Sequence, residues 1–502
     1  MKIKHIKYSI AILAIMQLTV SCKKDFLELV PKGTATEENF YRNETEVYQG
    51  LISVYDVMQW GTTGGYTMKQ PLLSAASDDC FAGGSNASDQ PGWVAYDNFN
   101  MDSRVGPQVG LWSKNFTGVN RANIILEKIA KATTLSAGFK TRVTAEAKFL
   151  RAYFYFDLVR FFGNVPLITA RIPTGELYTQ TQSAPAAIYA QIEKDLRDAY
   201  PSLPTTVATN EKGRISMGAA KALLAKVLLY QNDNVKLQEA ATLFNDINKV
   251  GNPYGYSLLP NYADIFRPDN KFNAEVILEI PHSNLAAWGD WGWINGGEGN
   301  VGTQFVGMDG YNGDTYSGGW GFCPVTLSLV NAMKTDPRFE TSIIDGAALK
   351  AAKATYNERY QNTDYFIKKY APLKAYRSNS GTAELNWPID EIEMRLADTY
   401  LMEAEALVRL NSDPTHALAL LTAVRARVGL TPVPATLDNI FNERRLELAF
   451  EGHRFFDLVR SGRAVTVLGP SGYKAGKSEF IPIPQQEIDL TKGVIKQNPG
   501  YN

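Results

Sequence analysis

The chain has 502 residues and a formal net charge of −1, with 51 Lys and Arg set against 52 Asp and Glu. That balance gives no electrostatic reason to bind nucleic acid, which needs a basic face, and three cysteines are too few for a disulfide framework. The excess lies in rings and glycine, 25 Tyr, 23 Phe, 8 Trp and 40 Gly, and most of the indoles fall in Gly-rich stretches.

Lys2, Lys4 and Lys7 precede a short apolar run from Ile10 to Leu18, and Thr19-Val20-Ser21-Cys22 follows. Residues 1–21 read as a secretory signal, too short to span a membrane. Ser21 before Cys22 is similar to a bacterial lipobox, in which the cysteine is acylated, although Thr19 stands where Leu is usual. Each buried CH₂ of an acyl chain contributes about 0.8 kcal/mol, so lipidation at Cys22 predicts a firmly anchored protein. No other run is long and apolar enough to cross a bilayer.

After a tether, residues 36–59 read as a helix, and 61–101 turn to Gly, Ser, Asp and Asn around Trp60, Tyr66, Trp93 and Tyr96. Helical spacing returns over 112–129 and is strongest over 143–163. There Val143, Ala147, Leu150, Phe154, Leu158 and Phe161 form one row, with Phe149, Tyr153 and Phe156 beside it. A helix apolar on more than one side must be packed all round. Its Phe156-Asp157-Leu158-Val159-Arg160 recurs as Phe456-Asp457-Leu458-Val459-Arg460, a hint of a helical-repeat scaffold. Helices are further predicted over 186–203, 216–230, 239–250, 391–410, 414–428 and 437–460.

Between them, residues 251–389 lose the helical period. Glu275 to Ile280 and Tyr365 to Tyr370 read as strands. The stretch 285–322 is too rich in Gly to stay helical, at about 1 kcal/mol per Gly against Ala. Its Trp content argues against disorder. The fold class expected is therefore mainly α, helices of a repeat type interrupted by loop-rich stretches with a few short strands. The helical part is placed at 36–60, 112–250 and 390–462, the loop-rich part at 61–111 and 251–389, and a Pro-rich wrap at 463–502.

Trp288, Trp291, Trp293 and Trp320, with Tyr311 and Tyr316, lie in these polar loops, and Trp93 in the earlier one. Aromatic rings stack on the C–H faces of sugars while loop amides and carboxylates bond the hydroxyl edges. These seven are the candidate ligand-binding residues. No metal is expected, because His282, His416 and His453 have no ligand spacing and the Asp and Asn clusters lack EF-hand order. No cofactor is expected either. Residues 469–478, GPSGYKAGKS, carry Ser471 where a phosphate-binding loop needs its first Gly. Asp78-Asp79 and Asp390-Glu391 are carboxylate pairs of the type a glycosidase uses, but sequence does not place them across a cleft. Arg444, Arg445, Glu447, Glu451 and Arg454 read as solvated or interhelical ion pairs. Cys80 and Cys323 are open to two readings, a disulfide or two buried thiols.

Several segments together carry a resemblance: CKKDFLE at 22–28, Trp112 with Asn120-Arg121-Ala122-Asn123, and EAKFLRAYFYFDLVRFFGNVPL. To these are added NYADIFRPDNKFNAEVILEI, Asp336-Pro337-Arg338, RLADTYLMEAEAL, and ERRLELAFEGHRFFDLVRSGR followed by FIPIPQQEI. In number and order they resemble the SusD/RagB family of Bacteroidetes outer-membrane lipoproteins, over nearly all of the mature chain. The resemblance implies a scaffold of tetratricopeptide-like helix pairs, with the loop-rich segments forming a second, irregular lobe, and a non-enzymatic role. That role is capture of an oligosaccharide at the cell surface, for delivery to a TonB-dependent, SusC-like outer-membrane transporter. It also implies a lipid anchor in the outer membrane, facing the exterior. A peptide ligand is the family's other mode, and a surface glycoside hydrolase is the rival class.

Overall fold

The structure is a computed structural model and describes residues 40–501. The predicted leader, Cys22, the tether and residues 36–39 of the first predicted helix lie outside the described residues, and within them that helix starts at Glu44. Long helices dominate: α1 (Glu44–Gln59), α2 (Pro107–Lys131), α3 (Ala137–Phe162), α4 (Pro185–Ala199), α5 (Met217–Gln231), α6 (Asn234–Asn248), α7 (Leu396–Arg409), α8 (Pro414–Arg427) and α9 (Leu437–Glu447). Their starts are written locally. Asn43, Ser136, Ser216 and Asp233 accept hydrogen bonds from first-turn amides, and Pro opens α2, α4 and α8, where a missing N–H costs nothing.

Each long helix packs on the next, from α1 on α2 through to α6, and α6 then packs on α7, which packs on α8 and α9. The array is thus a stack of helix pairs of the tetratricopeptide type, with 251–395 inserted between its sixth and seventh members. Asn232 in the left-handed region makes the tight turn between α5 and α6. α2 and α3 approach closely at Gly118, where a Cβ would stand 2.3 Å from the Phe154 ring. α3 is buried almost all round from Val143 to Phe162, as its double apolar row requires. The two recurring pentapeptides meet: Arg160 lies over the Phe456 ring at 4.5 Å, and Phe161 meets the same ring edge-on. In each copy the Arg also pairs with its own Asp, Arg160 with Asp157 and Arg460 with Asp457.

Strands are short. β1 (Val276–Ile280) pairs antiparallel with β4 (Glu391–Arg395), and β2 (Ile343–Asp345) with β3 (Tyr365–Ile367). Two sequence expectations need correction here. Residues 391–395 are strand, and the helix starts only at Leu396, because Glu391-Ile392-Glu393-Met394-Arg395 alternates and completes a ladder with β1. The segment 437–460 is two helices, broken where Phe450 (φ 70°) and Gly452 (φ 78°) enter the left-handed region; the second is Arg454–Arg460.

That break and β4 face a buried ionic cluster. Arg395 bonds Glu275 at 2.9 Å, Glu447 at 2.6 Å and Glu451 at 2.7 Å, all fully buried. Arg338 bonds Glu443 and Glu447, and Lys369 bonds Glu451. Glu447, paired with Arg427, and Arg444, paired with Asp398, are interhelical and buried, and Glu451 is buried at the helix break against Arg395 and Lys369, rather than solvated. Three arginines hold the Glu447 carboxyl well below its usual range despite burial. The last segment runs back over the end of α3. Ile481 N–H bonds Phe161 O, and Asn498 Nδ2 bonds Phe162 O, so two orphan carbonyls of that helix are satisfied.

Candidate functional site

In the loop from Leu285 to Gly297 two indoles reach the surface. Asp290 opens a 3-10 turn, Trp291–Gly296, by accepting from Gly292 N–H at 2.8 Å. Trp291 and Trp293 are then 47% and 49% exposed, values that leave about half of each indole available to a ligand. The loop is held from three directions. Trp288 Nε1 donates to the carbonyls of Asp290 and Trp293, both at 3.1 Å. The buried Asn386 amide accepts from Trp288 N–H at 2.9 Å and donates to Trp288 O at 2.7 Å. Asn295 exchanges hydrogen bonds with Thr62 and Thr63, at 2.7 and 2.9 Å. Gly296 and Gly297 are required at the Trp288 ring, which a Cβ would meet at 2.4 and 2.9 Å.

Around this loop the rings fall into two contacting groups. Trp291 lies 6.2 Å from Trp320 at 35°, and Trp320 meets Tyr66 at 5.5 Å. Trp293 stands edge-on to Trp60 at 5.6 Å. Trp60 is held in turn by its Nε1 bond to Asp56 and by Arg121 beneath its ring at 4.9 Å. Burial and nearby Asp89 push the Tyr66 phenol up, so it remains a neutral hydroxyl.

The seven predicted residues divide. Trp291 packs beside the half-buried Trp320, and Trp293 reaches the surface from the same loop against Trp60. Trp288 is half-buried and binds its own loop. Trp93 corrects the expectation: it is 2% exposed, packs on Phe305 at 4.4 Å and donates to Tyr66 O, so it supports the surface from below. Tyr316 is also buried, in a separate cluster with Met308, Ile344 and Phe366. Burial pushes its phenol up to about 12. Tyr311 packs against it at 5.6 Å, half-buried. Two rings that back these indoles, the buried Trp60 and the half-buried Tyr66, were not among the seven. Their signal was the same mix of aromatic, Gly and Thr at 60–67 that marks the later loop.

Among the described residues no group of three or more His, Cys, Asp or Glu is placed to hold a metal ion. His453 is held down to about 3 by burial and by Lys226, and His416 bonds Glu403. Residues 469–478 follow the short helix Ala464–Leu468 through a 3-10 turn, not a strand. Cys80 and Cys323 are both free, buried thiols, pushed up by burial. No helix among the described residues is long and apolar enough to cross a membrane.

Comparison with known proteins bears on the whole chain. Residues 275–501 match the SusD family, and residues 25–229 match the SusD-like family described as starch-binding and associating with the outer membrane. A solved laminarin-binding SusD-like protein is 44% identical, with a TM-score of 0.87, covering 92% of this chain and all of that one. Surface glycan-binding protein A of Bacteroides thetaiotaomicron, solved with laminarihexaose, is 28% identical with a TM-score of 0.84, over 91% and 99% of the two chains. A SusD-like protein of Formosa agariphila is 24% identical over 96% of this chain and 97% of its own. With the helix-pair array, the matched segments and a 44% identical relative spanning the fold, the chain belongs to the SusD family.

Proposed function

We propose that this protein binds a neutral glycan of the β-1,3-glucan type on the surface made by Trp291, Trp293, Trp320 and Tyr66. The observation that carries the reading is the pair of half-exposed indoles on a loop clamped from three sides. Such rings lose little freedom on binding, so stacking energy is not spent on ordering the loop. The bonds made by Trp288, Asn295 and Asn386 support the same reading, as does the laminarin bound by the 44% identical relative. Binding is without turnover, and the glycan passes to a TonB-dependent, SusC-like transporter. Acyl chains on Cys22 hold the molecule on the outer membrane, facing the exterior.

Calorimetric titration of the mature protein with the β-1,3-linked glucose hexamer tests this. Saturable binding is expected, weakened in Trp291→Ala, with no shortening of the hexamer on long incubation. Equal binding by wild type and by a Trp291→Ala, Trp320→Ala double variant overturns the assignment of the surface. Appearance of shorter oligomers overturns the non-enzymatic reading.

A further inference from the structure

One helical turn before Trp60, α1 borders a cleft of about 230 Å³. Ligand pockets run to roughly 300–1,000 Å³, so this one has room for a single ring rather than a chain. Ile52 of α1 lines one side, and Ile280 and Pro281 at the end of β1 line another. The turn at 210–215 closes the third.

Four polar groups line the same cleft: the Tyr48 hydroxyl, Gln59 Oε1, the Asn210 amide and the Glu298 carboxylate. Among the described residues none of these four has a hydrogen-bond partner, whereas Gln59 Nε2 is used, by Pro281 O. Of the two lining cations, Arg214 pairs with Glu146 and Glu211, while Lys212 is exposed and stands 5.9 Å over the Phe272 ring without an ion pair among the described residues. At the floor, Glu279 is 8% exposed and accepts from Phe272 N–H at 2.7 Å. Burial and the adjoining Asp390 push its carboxyl up to about 8, so it carries a proton near neutrality and adds no charge.

We propose that this cleft is an accessory subsite for one uncharged, hydroxyl-bearing ring, a single sugar unit of the ligand whose other units stack on Trp291, Trp293 and Trp320. The inference rests on the glycan reading above. A hydroxyl both donates and accepts, which matches acceptors on Gln59 and Glu298 and donors on Asn210 and Tyr48. An anionic group would face the Asp56, Glu211 and Glu298 carboxylates with only the exposed Lys212 to offset them, and a purely apolar one would leave all four polar groups without a partner. Apolar walls suit the C–H faces of the ring. The cleft is linked to the indoles by a short chain of contacts. Trp60 meets Trp293 on its edge while its Nε1 bonds Asp56, which lines the cleft, and Glu298 follows the Trp-bearing loop directly.

The test is titration of the mature protein with the β-1,3-linked glucose hexamer and dimer. Ile52→Trp fills the cleft from a 41% exposed position, and Asn210→Ala removes a donor from an exposed turn. Each is expected to weaken the hexamer three- to tenfold while leaving the dimer, held by the indoles, within twofold. Wild-type hexamer affinity in both variants, with loss in Trp291→Ala, overturns the subsite and leaves the indole surface standing. Unchanged hexamer affinity in Trp291→Ala as well removes the glycan reading and the subsite together. Should Ile52→Trp not fold, Asn210→Ala decides alone.

Discussion

The helical array and the aromatic loops place their chemistry in opposite ways. In the array and at its junction with the lobe, charged groups are inside: Arg395, Arg338, Glu447, Glu451 and Lys369 are fully buried and bonded to one another. In the loops, apolar groups are outside: Trp291 and Trp293 face solvent, and Leu285 is 90% exposed. A buried charge is stable only when paired, so the first region tolerates almost no change. An exposed indole costs the fold little to remove, so the second is free to vary with the ligand. Rigidity and recognition are thereby separated within one chain.

The largest effect should come from breaking the inside. Arg395→Ala removes the buried cation shared by Glu275, Glu447 and Glu451, leaving Arg338, Arg427 and Lys369 as their remaining partners, and is expected to cost about 3–5 kcal/mol of stability, read as a fall in the denaturation midpoint. If the loss is under 1 kcal/mol, the cluster does not hold the two regions together. Trp291→Ala should do the reverse. It should lose about 1 kcal/mol of glycan affinity, roughly fivefold in Kd, at an unchanged Tm. A fall in Tm without loss of affinity would return Trp291 to the core.

A smaller effect sharpens the contrast. Trp288→Phe keeps a ring against Gly296 and Gly297 but removes both N–H bonds, and a two- to threefold loss of affinity is expected. In a Trp291→Ala, Trp293→Ala background it should cost nothing further, because Trp288 acts through those rings. An additive loss would mean that Trp288 touches the ligand itself.

Acid titration should give the gentlest effect. Arg444 and Arg460 hold Asp457 down to about 2 against its burial. Its contribution is complete above the unfolded value near 4 and is lost as pH falls through about 2. Glu279 has the opposite sign. It keeps a proton up to about 8 that the unfolded chain gives up near 4.3, so its contribution declines as pH rises between those values. Glu279→Gln should flatten stability across that window, as followed by thermal melts from pH 5 to 9.

Much of the array was legible because it obeys a local rule. The double apolar row at 143–162 predicts a helix packed all round, and α3 is one. The strand at 391–395 was not legible as such, because Ile392 and Leu396 also fit a helical stripe and only pairing with β1 decides between the two. Among the rings, composition pointed to the right stretch but did not separate its members. Trp288, Trp291 and Trp293 stand within six residues of each other, yet one staples the loop and two face outward. Trp93 looked equivalent to them and is core, since its partners Phe305 and Phe322 are more than 200 residues away in sequence.

By itself the sequence determined the helix periods, their caps, the Gly-rich interruptions and the family, all set by neighbours a few residues apart or by order along the chain. The tertiary structure alone decided which indoles meet solvent, which carboxylates meet which arginines, and where a cleft remains beside α1. Those outcomes depend on contacts between distant segments, whose geometry is set by how the whole stack closes and leaves no trace in local spacing.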